Sequence, residues 1–314
     1  MGLNRAVMRT LFLLLAQISV LSAQVPALYR AIAKYNPSTA QELINAGANP
    51  NSRDGQGRTP LHAAVDAFGP GKLELMRLLL SKGADPNARD ESGSSALDDA
   101  VWIGSSEKSA LLLDSGAKID APETKTGATP LNEAAFKGHL QVVQLLLRRG
   151  ADVMTKDHAG FSPAENAVRE DHPEVACILL AHDKDPNLPS RLLEEAVRRG
   201  QADTVSMLLD AGVPINARFA SGSTALYDAA LKGDNRIVDL LAGRGSDVNE
   251  RETASGTTPL YAAAAFGREQ AVAILLLWGA DPNLVGSNGK TPLHAAESNG
   301  YREIAVRLRA AGGR

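Results

Sequence analysis

A single cysteine in 314 residues rules out an internal disulfide. Aromatic residues make up only 4% of the chain. One compact core of this length would normally use more ring bulk, whereas many thin layers built on Ala and Leu would not need it. No sign of charge dominates: 33 Lys and Arg against 36 Asp and Glu leave a net charge of −3. That balance offers nothing to attract a nucleic acid or an anionic membrane. No apolar run reaches the roughly 20 residues that a spanning helix needs. From residue 24 onward no Asn-x-Ser/Thr glycosylation acceptor occurs, because Asn36-Pro37-Ser38 is blocked by its proline.

The N-terminus stands apart from the rest. Arg5 and Arg9 precede an apolar stretch from Leu11 to Leu21, and the small residues Ser22 and Ala23 follow. This is the positive, apolar, small order of a signal peptide, and residues 1–23 are expected to be one, cut after Ala23. Retention as a signal anchor is the alternative. Cleavage would take the net charge from −3 to −5 by removing the two arginines. A secreted or periplasmic chain is therefore expected, with no membrane contact after cleavage. One Cys and no glycosylation acceptor fit a bacterial periplasm better than a eukaryotic secretory route.

What the chain has in quantity is repetition. Thr-Pro-Leu followed by a small-residue pair occurs at Thr59-Pro60-Leu61-His62-Ala63-Ala64, Thr129-Pro130-Leu131, Thr258-Pro259-Leu260 and Thr291-Pro292-Leu293-His294-Ala295-Ala296. Weaker copies begin at Ser95, Ser162 and Thr224. A leucine run ending in Gly-Ala-Asp/Asn-x-Asn recurs at Gly47, Gly83 and Gly279, with variants at Gly116, Gly150, Gly212 and Gly245. Most steps between copies are 33 or 34 residues. Each copy predicts a helix capped by Thr or Ser with Pro at its first position, a break at Gly, and a second helix apolar over most of its surface. A glycine then ends the second helix and a polar turn leads onward.

This phrase and period resemble the ankyrin repeat, and the resemblance covers essentially all of residues 24–314. It implies an all-α solenoid of about nine repeats, near 25–55, 56–91, 92–125, 126–158, 159–187, 188–220, 221–254, 255–287 and 288–314. Three irregularities break the pattern. Gly69-Pro70-Gly71 is extra in the second repeat, and the link from Asn187 through Leu188-Pro189-Ser190 is four residues short, so its finger should be cut down or missing. Arg307 and Arg309 replace the leucines held at 145 and 147, as a capping repeat requires.

No catalytic constellation can be assembled, so the chain is not expected to be an enzyme, and no cofactor or metal is expected. His172, Cys177 and His182 share one helix at separations that point them in different directions. Burial as a small hydrophobe is the expected fate of Cys177. The Asp-x-Asn pairs recur with the repeat and lack a twelve-residue calcium loop ending in Glu, so turn chemistry explains them better. His62 and His294 are expected to hydrogen-bond within and between turns, as the resemblance implies. No phosphate loop is present.

The resemblance further implies a protein partner bound on a concave face, lined by the ends of the first helices and the finger tips. The corresponding residues here are Trp102, Phe136, Lys137, Arg169, Arg198 and Lys232 on helices, with Phe161 and Phe219 on fingers. An acidic row, Asp99, Glu133, Glu195 and Asp228, runs through the middle repeats beside Tyr227 and those aromatics. Aromatics set among charges are the composition of a recognition patch. The expectation is therefore a monomeric binding module. An inhibitor or immunity-type protein that blocks a partner enzyme is the alternative.

Overall fold

A computed structural model describes residues 27–34, 36–66 and 71–314. The signal-peptide segment, and Gly69 and Pro70 of the extra loop, lie outside the described residues. Within them the chain forms eighteen helices and no extended strand, only the isolated bridges Arg89–Ser95 and Arg218–Thr224. None of these helices is long and apolar enough to cross a membrane.

The helices come as nine antiparallel-type pairs that fall into two compact units, up to Phe161 and from Ser162. In the first unit the leading helices are α1 (Ala27–Ala33), α3 (Pro60–Asp66), α5 (Ala96–Trp102) and α7 (Pro130–Phe136). Each is followed by a second helix: α2 (Pro37–Asn45), α4 (Lys72–Ser81), α6 (Ser106–Asp114) and α8 (Leu140–Arg148). The second unit has leading helices α9 (Pro163–Arg169), α11 (Leu188–Arg199), α13 (Ala225–Lys232), α15 (Pro259–Ala265) and α17 (Pro292–Ser298). Their partners are α10 (Pro173–His182), α12 (Ala202–Asp210), α14 (Asn235–Gly243), α16 (Glu269–Leu277) and α18 (Arg302–Ala310). Within each unit, leading helices pack on leading helices, and second helices on second helices.

Local chemistry explains the beginnings of the helices. Ser95, Thr129 and Ser162 close full capping boxes with Asp98, Asn132 and Glu165, satisfying two free N–H groups at once. Thr224, Thr258 and Thr291 cap with the hydroxyl alone. The alanines that follow, such as Ala134 and Ala135 or Ala262 and Ala263, are fully buried. Their small size lets one layer approach the next, which is why the chain needs so few rings.

The residue two after the first position of a leading helix ties one layer to the next in several repeats, whatever its type. His62 accepts at Nδ1 from the Thr59 backbone N–H, and its Nε2 lies 3.2 Å from the Ser94 carbonyl. Asn132 donates to the Thr155 and Phe161 carbonyls. The Tyr227 hydroxyl meets Thr257, and Tyr261 accepts from Asn288. His62 behaves as expected, with burial pushing its ring below the ordinary histidine range. His294 has only its intra-turn contact with Thr291.

The Asn of each Gly-Ala-Asp-x-Asn phrase does similar work between second helices. Asn51 donates to the Gly83 carbonyl and accepts from Asp85 N–H, and Asn87 does the same with Gly116 and Lys118. Asn249 and Asn283 continue the ladder to Asp281 and Arg314. These asparagines are consumed by backbone, which accounts for their periodicity without an ion. Among the described residues, no group of three or more His, Cys, Asp or Glu could hold a metal.

Two irregularities acquire a physical form. The short link before the sixth pair leaves no finger; the chain instead enters α11 early, making it 12 residues long, with Pro189 in its first turn. Arg191 anchors this extension, donating to Glu165 at 2.7 Å and Asp185 at 2.8 Å. In α18, Arg307 and Arg309 stand exposed and pair with Glu269 and Glu297. The core of the same helix is Ile304, Ala305 and Leu308. A further feature escaped the sequence reading: Lys108 of α6 is buried and donates to the Val65 carbonyl at the end of α3.

Candidate protein-binding surface

In the first unit the candidate residues converge at the ends of α5 and α7. Ala100, Val101, Ala134 and Ala135 fill the interior one residue earlier, so the helical turn carries the next positions outward. Trp102 is 51% exposed, Ile103 40% and Phe136 40%. Lys137, immediately after Phe136, folds back so that its ammonium lies 3.3 Å from the centroid of the Trp102 ring and 5.8 Å from that of Phe136. Such a separation is well inside cation–π range. The Trp102 carbonyl is held in turn by His139 Nε2 at 3.0 Å.

Two members of the acidic row, Asp99 and Glu133, stand on the same two helices, α5 and α7, and differ in their partners. Asp99 is bound by Arg58 at 2.6 Å, and Arg58 also reaches Asp66 at 2.7 Å. Burial pushes the Asp99 carboxyl up to about 7 against the pull of Arg58. Glu133 has no hydrogen-bond donor among the described residues. Burial first, then the charges of Asp98, Glu123 and Asp99, pushes its carboxyl up to about 8, with Lys137 pulling the other way. Phe161, expected at a finger tip, is half-buried, and its carbonyl accepts from Asn132.

In the second unit the same positions carry cations. Glu195 is gripped by Arg198 and Arg199 at 2.6 Å, with Arg169 at 4.0 Å. The guanidinium hydrogen bonds hold its carboxyl below the ordinary range despite burial. Lys232 donates to the Arg198 carbonyl at 2.6 Å, closing the end of α11. Asp228 is half-buried and raised by that burial. Tyr227 spends its hydroxyl on Thr257.

Phe219 requires a correction. Expected as an exposed finger aromatic, it is 4% exposed. Its backbone N–H bonds to the Ser223 carbonyl, as Asp54, Asp90 and Asp157 bond to Arg58, Ser94 and Phe161. Phe219 therefore occupies the Asp position that opens the turn rather than the tip beside its glycine. With no carboxylate to cap the turn, its ring goes inward and Ser221 receives the Ser223 N–H instead.

The Cys–His group stays apart from any such surface. Cys177 is half-buried and its thiol is raised by that burial. His182 is turned onto the Ile178 carbonyl of its own helix.

Nine helix pairs of one pattern, with Ser or Thr capping six of the leading helices, define an all-α repeat solenoid. Three-repeat profiles of ankyrin repeats match residues 28–123, 97–190 and 250–312, and a single-repeat profile matches 221–253. The chain belongs to the ankyrin-repeat family. It is similar to the B-cell lymphoma 3 protein homolog of Mus musculus, 33% identical over 141 residues, or 45% of this chain and 32% of that protein. Human Rabankyrin-5 is 29% identical over 185 residues, covering 50% of this chain and 15% of that one. The E3 ubiquitin-protein ligase KEG of Arabidopsis thaliana is 29% identical over 245 residues, covering 71% and 15%. The chain thus matches no more than about a third of the length of these relatives. Proteins of this family mediate protein–protein interaction through their repeats.

Proposed function

We propose that this chain is a non-enzymatic binding module for a protein partner, acting outside the cytoplasm through the ends of its leading helices. The observation that carries the reading is the pair of exposed rings, Trp102 and Phe136, one repeat apart beside half-buried carboxylates. Aromatic anchors ringed by polar groups supply most of the energy of protein interfaces. The location outside the cytoplasm rests on the order of Arg5, Arg9, the apolar stretch and Ala23.

The test is capture by the full chain from a cross-linked extract of its source cells, beside a Trp102→Ala, Phe136→Ala variant of unchanged helical content. A protein held by the wild type and lost by the variant is the expected result. Equal capture by both moves the binding surface elsewhere on the chain. Mass spectrometry of the expressed chain addresses the location: the expected product begins at Gln24, and an intact N-terminus in a cytoplasmic fraction overturns it.

A further inference from the structure

The environment of Glu133 is unlike that of the other acids in its row. Asp99 has Arg58 and Glu195 has three guanidiniums, but nothing among the described residues donates to Glu133. It is half-buried in the first turn of α7, with Asp98, Asp99 and Glu123 adding negative potential from α5 and from the turn before α7. A half-buried carboxylate without a protein donor is costly to ionise. One turn further on, two exposed rings bracket a cation, since the Lys137 ammonium sits over Trp102 and faces Phe136. Carboxylate and rings therefore share one small area of the first unit, and both are complementary to positive charge.

Lys137 satisfies only half of that demand. Its ammonium lies on the Trp102 face yet makes no salt bridge to Glu133, so the carboxylate is left for a second cation. A flat guanidinium suits this pairing of carboxylate and ring better than an ammonium. It can donate two parallel N–H groups to a carboxylate while stacking on a ring, which a point charge cannot.

Resting on the binding reading above, we propose that the surface formed by Glu133, Trp102 and Phe136 takes an arginine side chain from the partner protein, its guanidinium forked onto the Glu133 carboxylate and stacked against the rings. Lys137 then acts as an internal competitor for the Trp102 face. Arginine binding also requires Glu133 to be ionised, so it releases a proton from a carboxyl that burial holds up to about 8.

The experiment follows the indole N–H resonances of the 15N-labelled full chain during titration with acetyl-Gly-Arg-Gly-amide. Trp102→Phe assigns the signal. Trp278, whose indole donates to Asp239 at 2.9 Å in the other unit, reports that the fold is intact. The expected result is a saturable shift of the Trp102 signal at millimolar peptide, with Trp278 unmoved. The citrulline peptide, equal in shape but uncharged, gives none, and the lysine peptide binds more weakly. Glu133→Gln weakens arginine binding about tenfold, as loss of a charged hydrogen-bond partner does. Lys137→Gln strengthens it about threefold by vacating the ring face. Absence of a saturable Trp102 shift overturns the inference, as does equal binding of citrulline or an unchanged affinity in Glu133→Gln. None of those results touches the broader binding role, which fails only if the capture experiment finds no partner at all.

Discussion

Glu133 shows how a single side chain can be tuned by the layer beneath it. Its ordinary range lies near 4.5, and in the folded chain burial and neighbouring carboxylates raise it to about 8. The folded state thus holds this proton more tightly than the unfolded state does. Below pH 4.5 both states are protonated and the group has no effect. As pH rises from 4.5 to 8 the unfolded chain ionises freely while the folded chain resists, so stability declines across that window. Glu133→Gln removes the carboxylate without changing its shape. The variant should match the wild type near pH 4 and exceed it at pH 8, by about 1–2 kcal/mol after allowance for solvent screening. Thermal or urea unfolding at both pH values measures the difference. A gap of the same size at both would show that the carboxyl is not held protonated by its surroundings. Asp99 is the milder case: burial raises its carboxyl only to about 7, because Arg58 pairs with it at 2.6 Å.

At the scale of elements, the turn after α5 joins local backbone to the candidate surface. Gly104 has φ +71°, and a Cβ placed there would stand 2.8 Å from the His139 ring. That ring is the one holding the Trp102 carbonyl. Gly116, after α6, has φ +90° but open space around the missing Cβ. Gly116→Ala should therefore cost only the left-handed backbone penalty, about 1 kcal/mol. Gly104→Ala should cost about 2–3 kcal/mol, because the His139 ring must also move, and it should change the environment of Trp102. Denaturant unfolding with indole NMR on the two variants measures both effects; equal costs would remove the His139 contact from the account.

The helix pairs themselves were legible because caps, prolines and glycines recur at fixed offsets, and each acts through its own backbone. The extended start of α11 was half legible. The missing residues after Asn187 signalled a lost finger, but not that Leu188 to Ser190 would become helix, since that depends on Arg191 finding Glu165 and Asp185. The candidate surface was legible in position, because Trp102, Phe136 and Lys137 follow the buried alanines. Its chemistry was not. Which carboxylate has a partner depends on contacts across repeats, and Phe219 was misplaced because it stands where other turns carry Asp. The polar residue two after each leading proline offered a signal that sequence alone could have yielded. Its type varies as His, Asn, Glu and Tyr, yet it is always able to hydrogen-bond.

For the whole molecule, the decisive property is that within each unit the helix pairs pack on their neighbours in sequence. Stability is then close to a sum of layers and of the interfaces between them. Within the second unit, α13 has leading helices on both sides, α11 and α15, whereas among the described residues the α17–α18 pair packs on α15 and α16. Leu226 of α13 and Leu308 of α18 are both fully buried, and truncating either to alanine removes the same atoms at about 2–5 kcal/mol. The consequences should differ. Leu226→Ala weakens a layer that two others depend on, so the main unfolding transition should shift to lower denaturant. Leu308→Ala weakens a layer held from one side, so the loss should appear as local opening of residues 292–310 with the main transition nearly unchanged. Hydrogen exchange separates these outcomes: protection should fall throughout the second unit for Leu226→Ala and only in α17 and α18 for Leu308→Ala. If Leu308→Ala instead lowered protection evenly from α9 to α18, the unit would unfold as one cooperative block. Additive layers would then be the wrong description of its energetics.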